Sequence, residues 1–496
     1  MKIIKSIILL FYAVFLTTSC YKDKGNYEYT KISDIEISGI ETSYSKISAI
    51  DTLKIDPVIT SEYGNNFEYR WVIYNAKVEA DTIGREKNLR YFVTKSVGTY
   101  TIYLYVKSKP NGYFKHATTS LTVGTLFTRG HYILKEDDSG NTDMDLLLDD
   151  GRMVSNILLN TQGSTLAGKP RSMGILYQKQ FVDPVLLTKV NAHCLGIVTY
   201  DKKVNVLRAS DMTLIFNHSS MFFEEQQDDV PYKFLTGMWA NIYLSNKGTF
   251  PSNVSSQGTG KLGFPVGVPG GSDYWAVSPS LAGMVYWDET LNRFLWNNYN
   301  GQANVMTDLV HPTTNLNYEC LFMGNYRGVV YSLLKDKSNS SRLVLYKITT
   351  SSMSAPPKVN KVVEIAGASK MHGATLFATN QYTADIIYFV NNNKLYYYDA
   401  VNNVEYELIA ADLPANETIT FLSNRQYTVA APNFDYLTIG TYLNGTYKLY
   451  MYIMIGGKPN GSPVRTTSGT GKIKETHYLG TSFTDFDLVM GKRYSR

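Results

Sequence analysis

The chain has 496 residues, room for roughly two to four domains of about 100–200 residues each. Charged residues make up 18% and aromatic residues 13%, with 39 tyrosines, which excludes disorder for most of the length, because disordered chains are rich in charge and poor in aromatics. A net charge of +5, from 48 Lys and Arg against 43 Asp and Glu spread along the chain, argues against nucleic acid, and three cysteines exclude both a disulfide framework and a four-cysteine zinc site.

Lys2 and Lys5 give a positive start, and Ile3 to Leu16 form an apolar stretch too short to span a bilayer permanently, the pattern of an export signal. It ends Leu16-Thr17-Thr18-Ser19-Cys20, with small residues before a cysteine. This resembles the lipobox of bacterial lipoproteins, with Thr17 where that family prefers Leu and Leu16 one place further back. The resemblance implies cleavage before Cys20, diacylglycerol on its thiol and acylation of the new amine. Residues 1–19 are then a signal peptide and 20–30 a polar tether (YKDKGNYEYT after the cysteine). Acyl chains at about 0.8 kcal/mol per buried CH₂ make such a membrane anchor stable. Lys22-Asp23 is similar to the acidic, lysine-containing tags that send some lipoproteins to the outer face of the outer membrane.

Between 31 and 124, strand-like runs alternate with Gly, Asn, Pro and Asp: Ile35 to Ile37, Leu53 to Ile59, Phe67 to Tyr74, Tyr91 to Thr94, Tyr100 to Val106 and Thr118 to Val123. Short strands at this density predict a β-sandwich. In Gly98-Thr99-Tyr100-Thr101-Ile102-Tyr103-Leu104-Tyr105-Val106, the residues Ile102, Leu104 and Val106 share one face, and Tyr69-Arg70-Trp71-Val72 places Trp71 between the sheets. These segments resemble the PKD type of immunoglobulin-like module, without its acidic Gly-Asp-Gly turn. The closer likeness is the PKD-like domain at the start of Bacteroidetes surface lipoproteins, which implies a spacer or adhesion module.

From residue 125 to 496 strands recur with a period. Arg293-Phe294-Leu295-Trp296, Arg342-Leu343-Val344-Leu345-Tyr346, Lys394-Leu395-Tyr396-Tyr397-Tyr398 and Lys448-Leu449-Tyr450-Met451-Tyr452 follow one another at steps of about 50 residues. Gly283 to Tyr286, Gly328 to Tyr331 and Asp385 to Tyr388 precede three of them and predict hairpins. A four-stranded unit at this spacing predicts a β-propeller of seven or eight blades; a stack of sandwiches is the rival. Val204 to Leu207 reads as a further blade strand. Gly130-His131-Tyr132-Ile133-Leu134 near the start of the region and Thr476-His477-Tyr478-Leu479-Gly480 near its end are similar, and predict one sheet completed by both ends.

Chemistry-bearing motifs are sparse. Gly258-Thr259-Gly260-Lys261-Leu262-Gly263 has the spacing of a dinucleotide fingerprint, but Pro265 follows and no helix starts there. Asp137 to Asp145 concentrates oxygen ligands without the spacing of a calcium loop, and is expected as a solvated turn. The seven histidines show no i, i+4 pair, and no Gly-x-Ser-x-Gly occurs. His193-Cys194 runs into the apolar Leu195-Gly196-Ile197-Val198, so Cys194 and Cys320 read as packed thiols, although an oxidising compartment permits a disulfide between them. Glu224-Glu225 and Asp228-Asp229 read as loop charge. No cofactor, metal or catalytic residue is therefore assigned.

Asn246 to Asp273, rich in Gly, Ser and Pro, reads as an insertion flanked by Trp239 and by Tyr274-Trp275. Trp239, Tyr274 and Trp275 are the candidate ligand-binding residues, since aromatic rings stack on sugar faces or grip peptide side chains; the bland alternative places the tryptophans in blade cores, as for Trp287 and Trp296. An exported lipoprotein with a PKD-like module before a propeller resembles the accessory lipoproteins of starch-utilisation (Sus) type importers. That resemblance implies a non-enzymatic surface protein that binds glycan or peptide and docks on a TonB-dependent barrel and its lid lipoprotein. A propeller glycosidase, lyase or peptidase, and a purely structural importer subunit, remain the alternatives.

Overall fold

The computed structural model describes residues 35–61, 66–75, 78–184, 187–236, 240–253, 258–277, 284–298, 300–350, 355–427 and 434–480. The expected export signal and tether, with Cys20, and Trp239 lie outside these residues. Helix among the described residues is confined to Ile157–Gln162 and a 3₁₀ turn at Lys370–Gly373, and no helix is long and apolar enough to cross a membrane. The chain divides into two compact units, one containing Thr52–Phe92 and Thr99–Leu121, the other containing Ser45–Asp51, Val93–Gly98 and everything from Thr122 onward.

The N-terminal five-stranded sheet runs in the order Ser43–Ile47, Phe114–Gly124, Gly98–Ser108, Phe67–Asn75, Val78–Gly84. Two ladders accompany it: Ile35–Ser38 with Val58–Ser61, and Thr52–Ile55 with Leu89–Phe92. Ile102, Leu104 and Val106 point into the core with no exposed surface, as does Trp71, whose indole N–H donates to the Glu86 carbonyl at 3.0 Å. The sequence suggested a single strand over Leu53 to Ile59. It is two, because Pro57 has no N–H for a ladder and the chain changes partner there.

The second unit consists of seven consecutive antiparallel sheets among the described residues, numbered here as blades 1 to 7. The expected hairpins form the middle strands of blades 4 to 6: Trp287 faces Phe294, Leu334 faces Val344 and Val390 faces Leu395. Val204–Arg208 is the third strand of blade 2. Middle strands are buried on both faces, so they read as continuous apolar runs such as Met284–Asp288 and Ile386–Asn391, every residue of which is buried.

Alternate residues of one strand face opposite neighbours. Tyr286 and Leu295 pack toward blade 3, whereas Val285, Trp287, Phe294 and Trp296 pack toward blade 5. Apolar clusters of this kind join blades 1–2, 2–3, 3–4, 4–5, 5–6, 6–7 and 7–1 in turn. Each fully buried large side chain contributes about 1.5–3 kcal/mol, so the circle of clusters holds the blades in a ring.

The ring closes as the similar end segments predicted. Gly130–Glu136 pairs with Lys472–Leu479 in register Gly130↔Leu479 to Leu134↔Glu475, so blade 1 takes its innermost strand from the C-terminal end and its other three from the N-terminal side. A buried polar tie reinforces the seam between blades 7 and 1: the Tyr447 hydroxyl donates to Asp145 at 2.6 Å, and Asp145 pairs with the buried Lys135 at 2.7 Å.

Three expectations from the sequence are corrected. Asp143 and Asp145 are not in a solvated turn but are buried on the strand Thr142–Leu147; only Asp137 to Asn141 forms the turn, where Asp137 accepts the amides of Ser139 and Asn141. Asp229 is not loop charge: it is buried and accepts hydrogen bonds from Tyr243 and His218. Asn246 to Asp273 is not a free insertion. Gly248–Asn253 is the third strand of blade 3, and Leu262, Val266 and Gly267 are fastened by single bridges to Phe222, Thr249 and Ala303. Gly267 is required there: its φ is +88° and a Cβ would lie 2.0 Å from the Ala303 carbonyl oxygen.

Candidate functional site

The innermost strands, one per blade, are Lys472–Leu479, Pro170–Val182, Pro231–Thr236, Trp275–Val277, Tyr318–Tyr326, Leu376–Thr379 and Thr418–Tyr427. All seven line one solvent-open cavity of about 240 Å³ at the centre of the ring. Close approach of the first blades depends on Gly174, where a Cβ would stand 2.1 Å from the Phe234 carbonyl oxygen.

One wall carries charge. Glu475 of blade 1 accepts from the Lys233 ammonium of blade 3 at 3.1 and 3.3 Å, from His477 Nε2 at 3.1 Å and from the Met173 amide of blade 2 at 2.9 Å. Lys233 Nζ also sits 4.2 Å from the ring centroid of Trp275, on blade 4, a cation–π contact. Burial opposes ionisation of Glu475, but Lys233, His477 and the Met173 amide together outweigh it and hold the carboxyl well below the usual carboxylate range. Lys233 is only 3% exposed and its charge is answered within the wall.

The opposite wall is hydrogen-bonding, and Arg425 lines it too. Asn325 of blade 5 is 7% exposed and donates to the Val277 carbonyl at 2.5 Å, while its Oδ1 has no hydrogen-bond partner among the described residues. The Ser423 hydroxyl of blade 7 is likewise buried without a partner among them. Gln381 lines the same wall, and its amide donates to Asn424 at 3.1 Å, joining blades 6 and 7. The Phe322 and Phe377 rings, stacked at 5.4 Å, supply an apolar side.

Of the residues singled out from sequence, Trp275 is partly buried: it lines this channel and also packs against the cluster between blades 3 and 4. Its neighbour Tyr274 packs against the cluster between blades 4 and 5, and burial pushes its phenol up to about 12. Trp287 and Trp296 are core residues, 1% and 7% exposed. Lys233, Glu475, Asn325 and Ser423 were not anticipated; for Lys233 the available signal was a lone charge within an apolar inner strand, Pro-Tyr-Lys-Phe-Leu at 231–235.

The other motifs serve the fold. The Gly260 carbonyl of the fingerprint-like segment accepts from the buried Lys179 ammonium at 2.8 Å. Cys194 and Cys320 are free and buried in different clusters, and burial pushes the Cys194 thiol up to about 12, away from thiolate chemistry. Among the described residues no group of three or more His, Cys, Asp or Glu side chains is placed to hold a metal ion.

Fold and site together define a nearly all-β protein with a PKD-like N-terminal domain followed by a propeller-like ring with a lined central channel. Residues 20–170 match the model of the PKD-like family. None of the curated proteins matches the chain in sequence. Among solved structures it is similar to a quinonprotein alcohol dehydrogenase-like protein of Bacteroides thetaiotaomicron (13% identity, 90% of this chain and 99% of that one, TM-score 0.39). It is also similar to AztD of Citrobacter koseri (11%, 82% and 100%, TM-score 0.33) and to a Synechocystis apocarotenoid oxygenase mutant (8%, 82% and 92%, TM-score 0.27).

Proposed function

We propose that the protein is a surface-exposed outer-membrane lipoprotein, anchored through Cys20, that captures a glycan or peptide nutrient in the channel of its ring for a TonB-dependent, Sus-type importer and its lid lipoprotein. The observation that carries capture in the channel is its preformed wall, lined by all seven inner strands, with Trp275 and the stacked Phe322 and Phe377 rings beside the polar Asn325, Gln381, Asn424 and Arg425. Binding is favoured over catalysis by the state of Glu475. A general base works best with a pKa near the operating pH, whereas Glu475 is held ionised by three neighbouring residues that occupy its lone pairs. The anchor rests on the lipobox-like sequence before Cys20.

Two experiments test this proposal. Cys20→Ala should abolish lipid labelling and membrane retention; an unchanged membrane fraction removes the anchor. Glycan and peptide panels should show saturable binding without product, together with co-purification of a barrel. New reducing ends or cleaved peptides would establish an enzyme, and co-purification without any ligand would establish a structural subunit.

A further inference from the structure

The outward face of the N-terminal five-stranded sheet carries more than a solvated pattern. Alternate residues of a strand face opposite sides, so in Gly98–Ser108 the core positions Ile102, Leu104 and Val106 leave Tyr103 and Tyr105 on the outer face, half-buried. Their rings lie 5.9 Å apart and 17° from parallel, and the exposed His116 ring of Phe114–Gly124 contacts them at 6.2 and 5.9 Å. Phe114, two positions before His116, is 61% exposed. Tyr74, opposite Thr101 on Phe67–Asn75, is 43% exposed. Five rings therefore form a strip across three adjacent strands.

The polar ends of this strip are unengaged. Neither the Tyr103 and Tyr105 hydroxyls nor the His116 imidazole has a hydrogen-bond partner among the described residues. Arg70 stands opposite Tyr105 with its guanidinium carbon 5.2 Å from that ring's centroid, and it pairs with no carboxylate among the described residues. Glu68 shares the face, but it lies directly opposite Lys107, which balances it. Arg70 is the surplus charge.

This combination selects a partner. Aromatic surface suits the C–H faces of sugar rings, and a guanidinium suits a carboxylate. One surplus charge for five rings is too sparse for nucleic acid, which is gripped by several Lys and Arg on successive phosphates. A peptide strand adds to a sheet edge or fills a groove, whereas this is a sheet face. We infer that the strip is a binding surface for an acidic polysaccharide, with its sugar faces against the rings and a carboxylate on Arg70. This surface is separate from the channel and does not depend on capture there.

The test is affinity electrophoresis of the full chain in non-ionic detergent, through gels containing polygalacturonate, alginate or hyaluronate, with neutral pullulan and xyloglucan, polyglutamate and single-stranded oligothymidylate as comparisons. Retardation by at least one acidic polysaccharide is expected, weakened about tenfold by Arg70→Gln and several-fold by the double substitution Tyr103→Ser, Tyr105→Ser, and unchanged by Trp275→Ala. No retardation by the acidic polysaccharides, or retardation indifferent to these substitutions in the strip, overturns the inference. So does equal retardation by the neutral polymers, or stronger binding of oligothymidylate or polyglutamate. Retardation lost with Trp275→Ala alone would place the polymer in the channel, so that the strip fails while capture stands. Should the double variant not fold, Arg70→Gln and Phe114→Ser carry the test, because Arg70 bonds no carboxylate among the described residues and Phe114 is largely exposed.

Discussion

Lys179 offers a sharp test of the packing between blades 2 and 3. It follows Gln178, whose φ is 43°, at an irregularity in the inner strand of blade 2 that turns its side chain inward. There it is 4% exposed, with Nζ donating to the Gly260 carbonyl and lying 5.6 Å from the Phe216 ring centroid. Burial lowers its pKa from the ordinary 10.5 to about 8, against a smaller upward pull from Cys194. At about 1.4 kcal/mol per pH unit, that difference is worth about 3 kcal/mol. Below about pH 8 the lysine is charged in both folded and unfolded chains, and the whole cost is present. Between about 8 and 10.5 the unfolded chain binds more protons, so this contribution to stability rises with pH and the cost has vanished above 10.5. Lys179→Met removes the charge but leaves the Gly260 carbonyl without its donor, at about 1–3 kcal/mol, so at pH 7 the variant should be between neutral and about 2 kcal/mol more stable. The variant's advantage should fall by about 3 kcal/mol between pH 8 and 10.5. Buried tyrosines such as Tyr132 and Tyr286, whose phenols burial raises, weaken both proteins alike in that range and cancel in the difference. The assay is denaturation followed by tryptophan fluorescence at intervals from pH 7 to 10.5. A difference between the two proteins that does not change with pH would refute the account of Lys179 as a buried ammonium.

Glu475→Gln should destabilise the ring by about 2 kcal/mol at pH 7, below the about 3–5 kcal/mol of a fully buried broken pair because Glu475 retains 24% exposure. Its folded pKa lies well below the ordinary 4.5, so the wild-type contribution is present above that pH and is lost as pH falls below it; the gap between the two proteins should therefore narrow between pH 5 and 3 in thermal melts. Gly174→Ala should lower the melting temperature by several degrees, since its Cβ meets the Phe234 backbone oxygen at 2.1 Å and overpacking costs about 1–3 kcal/mol or more; an unchanged transition would show that the inner strands are not so closely apposed. Deleting residues 476–496 removes half of the strand that completes blade 1 and should destabilise the whole ring. A normal melting temperature after that deletion would contradict closure.

The parts of this fold legible in the sequence were those buried on both faces. The middle strands of blades 4 to 7 carry apolar runs with few interruptions, so Phe294, Leu343, Leu395 and Leu449 marked the period. Outer strands such as Val404–Glu407 are largely exposed and patterned by solvent, not by the repeat. Inner strands answer to the channel on one side and to neighbouring blades on the other, which hides their period as well. Blade 3 was obscured further because Pro and Gly are frequent from Asn246 to Asp273, and Leu262, Val266 and Gly267 are held by single bridges and not by a regular ladder. Trp275 was conspicuous as a large aromatic beside that segment, but its partner Lys233 and that lysine's own partner Glu475 stand 242 positions apart and meet only because the ends of the ring join. Asn325 and Ser423 carried no local signal at all. Their importance lies in hydrogen bonds left unmade in the folded chain, which only the assembled ring reveals.

The central claim, capture of a ligand in the channel, is tested most directly by the affinity of Trp275→Ala for whichever ligand the wild-type protein binds. Trp275 is partly buried on the channel wall, and an aromatic contact of this kind is worth about 0.5–1.5 kcal/mol beyond the area it buries. The account predicts a loss of several-fold to about tenfold in affinity in a variant that still folds, with a melting temperature lowered by the loss of its packing on the blade 3–4 cluster. Unchanged affinity in a folded variant would contradict it, and a collapse in stability would place Trp275 in the blade core instead.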